Sequence, residues 1–114
     1  RQGAGSPPAL KPAFHAYKSA CRLGVPAGCN WMGLMLAKGE GVKRHLGNAV
    51  KRMREACEGG FGEGCFNAAV AYVKGEGVPK DHQMAGRLFT RACEGGLEAA
   101  CKILARQKRP KTSR

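Results

Sequence analysis

The chain has 114 residues, enough for one domain with a modest core, and carries a net charge of +12. That balance favours partners with negative surface: acidic proteins, anionic lipid headgroups, cell-wall polymers or nucleic acid. Nucleic acid is the weakest of these, because seven aromatic residues do not make a base-stacking platform and no ribonucleoprotein motif, zinc-finger spacing or basic heptad helix is present.

In chain order, residues 1–12 are rich in glycine and proline and read as a flexible leader. Gly3 and Gly5 fall 36 residues before Gly39 and Gly41, so the same stretch also reads as the remnant of an upstream repeat. A first helix follows, with Ala13, Tyr17 and Ala20 on one stripe, then a turn at Gly24 and Val25. The second helix carries Cys29, Met32, Gly33 and Leu36 and ends at the loop Gly39-Glu40-Gly41-Val42.

The pattern then returns every 36 residues. Ala49, Met53 and Ala56 repeat the first stripe, Gly60 and Phe61 the turn, and Cys65, Ala68, Ala69 and Tyr72 the second helix. Gly75-Glu76-Gly77-Val78 repeats the loop, with Pro79 blocking helix extension and Asp81 placed as an N-cap. The third copy has Ala85, Phe89 and Ala92, then Gly96 and Leu97, then Cys101, Leu104 and Ala105. Lys108 stands where an apolar residue is due, as a terminal cap would have it. A period of this size predicts an all-α solenoid of stacked helix pairs, an α/α superhelix, with units at 13–42, 49–78 and 85–106. Residues 107–114 read as a disordered basic tail.

The six cysteines keep the same beat: Cys21 and Cys29, Cys57 and Cys65, Cys93 and Cys101, each pair enclosing seven residues. Zinc knuckles want closer spacing, and His15, His45 and His82 do not share the register of the cysteines, so no metal site is expected. An even count paired within each unit favours disulfides. Each bridge would staple two antiparallel helices across their turn and contribute about 2–3 kcal/mol in the chain-entropy model. Disulfides imply an oxidising compartment: secreted or periplasmic, with the mitochondrial intermembrane space as the alternative. The chain opens on Arg1 and shows no signal peptide, which reads as a processed or excised segment. No apolar run is long enough to span a bilayer.

The string Ala-x-x-x-(Tyr/Met/Phe)-x-x-Ala-Cys, then Gly, then Cys, then Gly-Glu-Gly-Val resembles the Sel1-like repeat over about residues 13–106. The seven-residue cysteine spacing is similar to Helicobacter-type cysteine-rich proteins and to a mitochondrial cytochrome oxidase assembly factor. For fold, the resemblance implies a relative of tetratricopeptide arrays with a disulfide inside each helix pair. For function, it implies an adaptor that assembles or tethers other macromolecules. His45 departs from the family pattern, standing where Asp81 stands one unit later.

Some cysteine-rich relatives are described as β-lactamases, which makes a β-lactamase-like hydrolase the enzymatic alternative. The serine version needs a lysine three positions after the nucleophile, yet Ser19 is followed there by Arg22 and Ser6 by Ala9. Neither catalytic residues nor a cofactor is expected. The candidate partner-binding residues lie on the first helices. His15, Lys51 and Arg87 form one column, Lys18, Arg54 and Thr90 a second, and Arg52 and Arg91 add charge nearby. These predict a basic face that grips a protein or acidic peptide, the chain acting as a monomer; binding to an anionic surface is the further alternative. Trp31, whose counterparts are Asn67 and Ile103, reads as a core residue facing an upstream unit or as an exposed partner contact.

Overall fold

A computed structural model describes residues 9–108, apart from the side chain of Lys108. It holds six helices: α1 (Leu10–Arg22), α2 (Pro26–Lys38), α3 (Leu46–Glu58), α4 (Gly62–Lys74), α5 (His82–Glu94) and α6 (Glu98–Lys108). Among the described residues there is no strand. None of the helices is long and apolar enough to cross a membrane.

Odd and even helices pair as hairpins, and each even helix packs on the next odd one. The main contacts run in sequence from α1 to α6, with smaller ones between α2 and α4 and between α3 and α5. The result is an elongated stack, 61 × 31 × 25 Å, in which each unit touches chiefly its neighbours, as in solenoids.

Each first helix begins three residues before the stripe that reveals it, at Leu10, Leu46 and His82. The expected leader is therefore shorter than residue 12. Pro12 sits in the first turn of α1, where a missing amide proton costs the helix nothing. The expected tail also starts too early at 107, because α6 continues through Gln107 and Lys108. Residues 1–8 and 109–114, which carry the rest of both expectations, lie outside the described residues.

The periodic stripes make the core. Ala49, Met53, Ala56, Ala85, Phe89 and Ala92 are all buried, with Leu36, Ala68, Ala69 and Tyr72 facing them from the second helices. The stripe of α1 differs: Ala13 and Ala20 are half-buried and Tyr17 is exposed. Asn30 is the one buried polar residue of the described core, 1% exposed, and its Oδ1 accepts a hydrogen bond from Asn67 Nδ2 at 3.0 Å.

The Gly-x-Gly loops have a backbone cause. Gly39 and Gly75 end α2 and α4 in the left-handed region, at φ 75° and 73°. The second glycine of each loop runs against the start of the same unit's first helix. A Cβ on Gly41 would sit 2.4 Å from the Leu10 carbonyl oxygen, and one on Gly77 would sit 2.5 Å from that of Leu46. N-caps differ between units in kind and not in job. Asp81 accepts from the Met84 amide at 2.9 Å, and His45 Nδ1 accepts from the Asn48 amide at 3.0 Å. His45 is thus a helix cap, not merely a solvated side chain.

All three bridges are closed: Cys21–Cys29, Cys57–Cys65 and Cys93–Cys101, with Cα–Cα distances of 4.5, 4.4 and 4.7 Å. In the first two hairpins Gly28 and Gly64 lie against Ala20 and Ala56, and the third reaches a similar distance with Ala100 in that register. A Cβ on either glycine would lie within 2.7 Å of the alanine methyl. No free cysteine remains.

Candidate partner-binding face

The odd helices share one face. Along it His15, Lys51 and Arg87 are exposed, Lys18 and Arg54 are half-buried, and Thr90 is exposed. In the middle unit two of these cations lie over a concavity. Lys51 and Arg54 border a groove of about 420 Å³ whose apolar side is Val50, Tyr72 and Val78, with Glu55 and Glu58 also on its lining. His15, Lys18, Arg87 and Arg91 are not on that lining, so the two columns form a charged ridge with this hollow at its middle unit.

Arg54 is held in place. Its Nη1 donates to the Tyr72 hydroxyl at 3.1 Å, joining α3 to α4. The sequence alone places Tyr72 in the core stripe, and its hydroxyl role escapes that reading. The available signal is that its counterpart one unit earlier is Leu36, which has no hydroxyl. Arg52 points elsewhere: it pairs with Glu55 at 2.9 Å, the one ion pair among the described residues. That pairing neutralises part of the carboxylate charge bordering the groove and leaves Lys51 and Arg54 without an acidic partner.

Glu55 also lies 3.6 Å from Cys21 Sγ. Cys21, Cys29 and Glu55 are close enough to resemble a metal cluster. Both sulfurs are consumed in a bridge, so the trio offers a cation one carboxylate and no thiolate. Arg91 is exposed and occupies in α5 the register that Glu55 occupies in α3, outside the column of Lys51 and Arg87.

Trp31 stands apart from the ridge. It is 40% exposed and lies against Tyr17, ring centroids 6.4 Å apart at a tilt of 36°. Among the described residues no helix covers this side of α1 and α2, so the ring is open here.

This architecture, helix pairs with an internal bridge and a Gly-x-Gly link, defines a solenoid of the α/α-superhelix class. The family model for the Sel1 repeat matches residues 26–61 and 62–97, and the chain belongs to that family. Similar solved structures include Helicobacter pylori cysteine rich protein B, at 32% identity and TM-score 0.77 over 79% of this chain and 68% of that one. A Sel1 repeat protein from Oxalobacter formigenes follows at 27% identity and TM-score 0.78, over 87% of this chain and 41% of that one. A third is c5321, a protective antigen of uropathogenic Escherichia coli, at 34% identity and TM-score 0.80 over 90% of this chain and 22% of that one. Among curated proteins none matches the chain. Sel1-repeat proteins are generally protein-interaction modules and typically act as scaffolds without enzymatic activity. Three closed bridges are what an oxidising, extracytoplasmic setting sustains.

Proposed function

We propose that the chain is a non-catalytic adaptor, secreted or periplasmic and monomeric, that captures acidic segments of partner proteins along its odd-helix face. The observation that carries this reading is the pair Lys51 and Arg54, set over the apolar wall of Val50, Tyr72 and Val78, with Arg54 fixed by the Tyr72 hydroxyl. A pre-positioned guanidinium loses less side-chain freedom when it meets a carboxylate than a free one does. The wall takes an apolar side chain beside the acidic one, so the preferred ligand is an acidic peptide with interspersed apolar residues. His15, Lys18 and Arg87 extend the positive ridge on either side, and the net charge of +12 draws such a ligand in.

A fluorescent peptide alternating glutamate with leucine or valine tests the reading. Binding is expected to weaken with added salt and to disappear when Lys51 and Arg54 are both changed to glutamate, while Arg87→Glu gives a smaller loss. Removing residues 109–114 is expected to leave binding intact. Unchanged binding in the Lys51→Glu, Arg54→Glu chain disproves the groove. Loss on removing 109–114 reassigns capture to the basic terminus, and equal binding to anionic vesicles reassigns it to surface charge.

A further inference from the structure

The first unit carries four of the five large exposed apolar side chains among the described residues: Tyr17, Leu23, Val25 and Trp31. Two of these have counterparts that reveal what belongs over them. Tyr17 corresponds to Met53 and Phe89, which are 6% and 4% exposed because α2 and α4 lie across them. Trp31 corresponds to Asn67, which reaches back to Asn30 of the preceding second helix, and to the half-buried Ile103. The first of these positions thus receives the preceding second helix in both later units, and in the second unit the other position does so as well. In the first unit the same positions hold the two largest side chains and remain open.

From this continuity we infer that the α1–α2 face is an interface for one more helix pair of the same kind, packed ahead of α1 as α4 is packed ahead of α5. The sequence before α1 agrees, since Gly3, Gly5 and Pro7 occupy the register of Gly75, Gly77 and Pro79 in the loop that ends such a pair. A second copy stacked through its α6 is a poor occupant, because Lys102 and Arg106 are exposed there and would meet the basic residues Lys11, Lys18 and Arg22 of α1.

Leu23 adds a specific requirement. Its counterparts are Gly59 and Gly95, both glycines at the point where the preceding second helix begins. A Cβ on Gly59 would strike Pro26, 2.6 Å from its Cγ, whereas one on Gly95 would stand 3.6 Å from the Gly62 Cα. With Leu23 in that place, the arriving helix pair must begin its second helix with glycine, as α4 does, and not with proline, as α2 does.

Trp31 is the sole tryptophan and reports on the face directly. Two extended chains carry a copy of residues 45–80, or a copy of residues 9–44, in place of residues 1–8, with everything from Ala9 onward unchanged. The 45–80 copy is expected to shift Trp31 emission to shorter wavelength, reduce its quenching by acrylamide and raise the melting temperature. The 9–44 copy, its own tryptophan replaced by phenylalanine so that Trp31 stays the single reporter, is expected to do so only after Leu23→Gly in the original first unit. Circular dichroism and intact mass check that each added pair is helical and bridged. A helical, bridged 45–80 copy that leaves Trp31 as quenchable as before overturns the inference, and so does an added pair that stays unfolded on this face. Shielding of Trp31 in the unextended chain by dimer formation, read by light scattering, also overturns it by giving the face to a second copy.

Discussion

Arg54 on α3 and Tyr72 on α4 are joined by a hydrogen bond of 3.1 Å, guanidinium to phenol, at the edge of the middle unit's hollow in the charged ridge. The bond spends one of Arg54's donors and leaves the rest of its fork toward the groove. Tyr72→Phe keeps the ring, which is 8% exposed, and removes only the acceptor. Folding stability is expected to fall by no more than about 1 kcal/mol. Affinity for a Glu-rich peptide should fall about three- to tenfold, read by fluorescence titration, because Arg54 must then be ordered on binding.

Two glycine substitutions separate steric need from helix propensity. Gly77→Ala places a methyl 2.5 Å from the Leu46 carbonyl oxygen on a backbone with φ of 80°. A loss of more than about 2 kcal/mol in denaturant unfolding is expected. Gly86 lies within α5 with nothing within 4 Å of its would-be Cβ. Gly86→Ala should therefore stabilise by about 0.5–1 kcal/mol.

The bridges differ in what their removal uncovers. Cys57 and Cys65 are 1% and 2% exposed at the middle of the stack, whereas Cys93 and Cys101 are half-buried near one end. Replacing either pair by alanine costs the loop-closure contribution of about 2–3 kcal/mol. The central pair also leaves unfilled core volume and should lower the melting temperature further. Equal losses from the two replacements would show that core burial adds nothing to the staple.

Asn30 and Asn67 tie α2 to α4 through one buried amide contact of 3.0 Å, and Asn30 Nδ2 has no partner among the described residues. Asn67→Ala strands the Asn30 oxygen as well, and a cost of about 1–3 kcal/mol is expected. Asn30→Leu in that background removes both stranded groups and should recover part of it. A double-mutant cycle measures the coupling; an Asn30→Leu change that adds its own full cost would show that packing, not hydrogen bonding, governs the site.

Much of this fold is legible in the sequence because the period is strict. The stripe through Ala49, Met53 and Ala56 and the glycine turn at Gly60 are each local signals, and three copies reinforce them. The bridges are legible for the same reason. Helix starts are less so: Leu10 and Pro12 belong to α1 because first-turn amides need no partner, a tolerance that composition does not reveal. His45 conceals its capping role behind an unusual residue type, since an imidazole nitrogen does there what a carboxylate does at Asp81. For the ridge, the columns of Lys51 with Arg87 and Lys18 with Arg54 follow from periodicity alone. The hollow does not, because it needs Tyr72, eighteen residues beyond Arg54, and the Arg52–Glu55 pair that turns Arg52 away. Trp31 was open to two readings because burial there depends on a neighbouring unit and not on its own helix.

Each crosslink joins cysteines eight positions apart within a single hairpin. Six thiols allow 15 pairings, but forming any one hairpin brings only its own two sulfurs together. Oxidation can therefore proceed piecemeal as the polypeptide emerges, each segment sealed before the next is complete. Such a chain has little need of shuffling by an isomerase, and its maturation should keep pace with its folding.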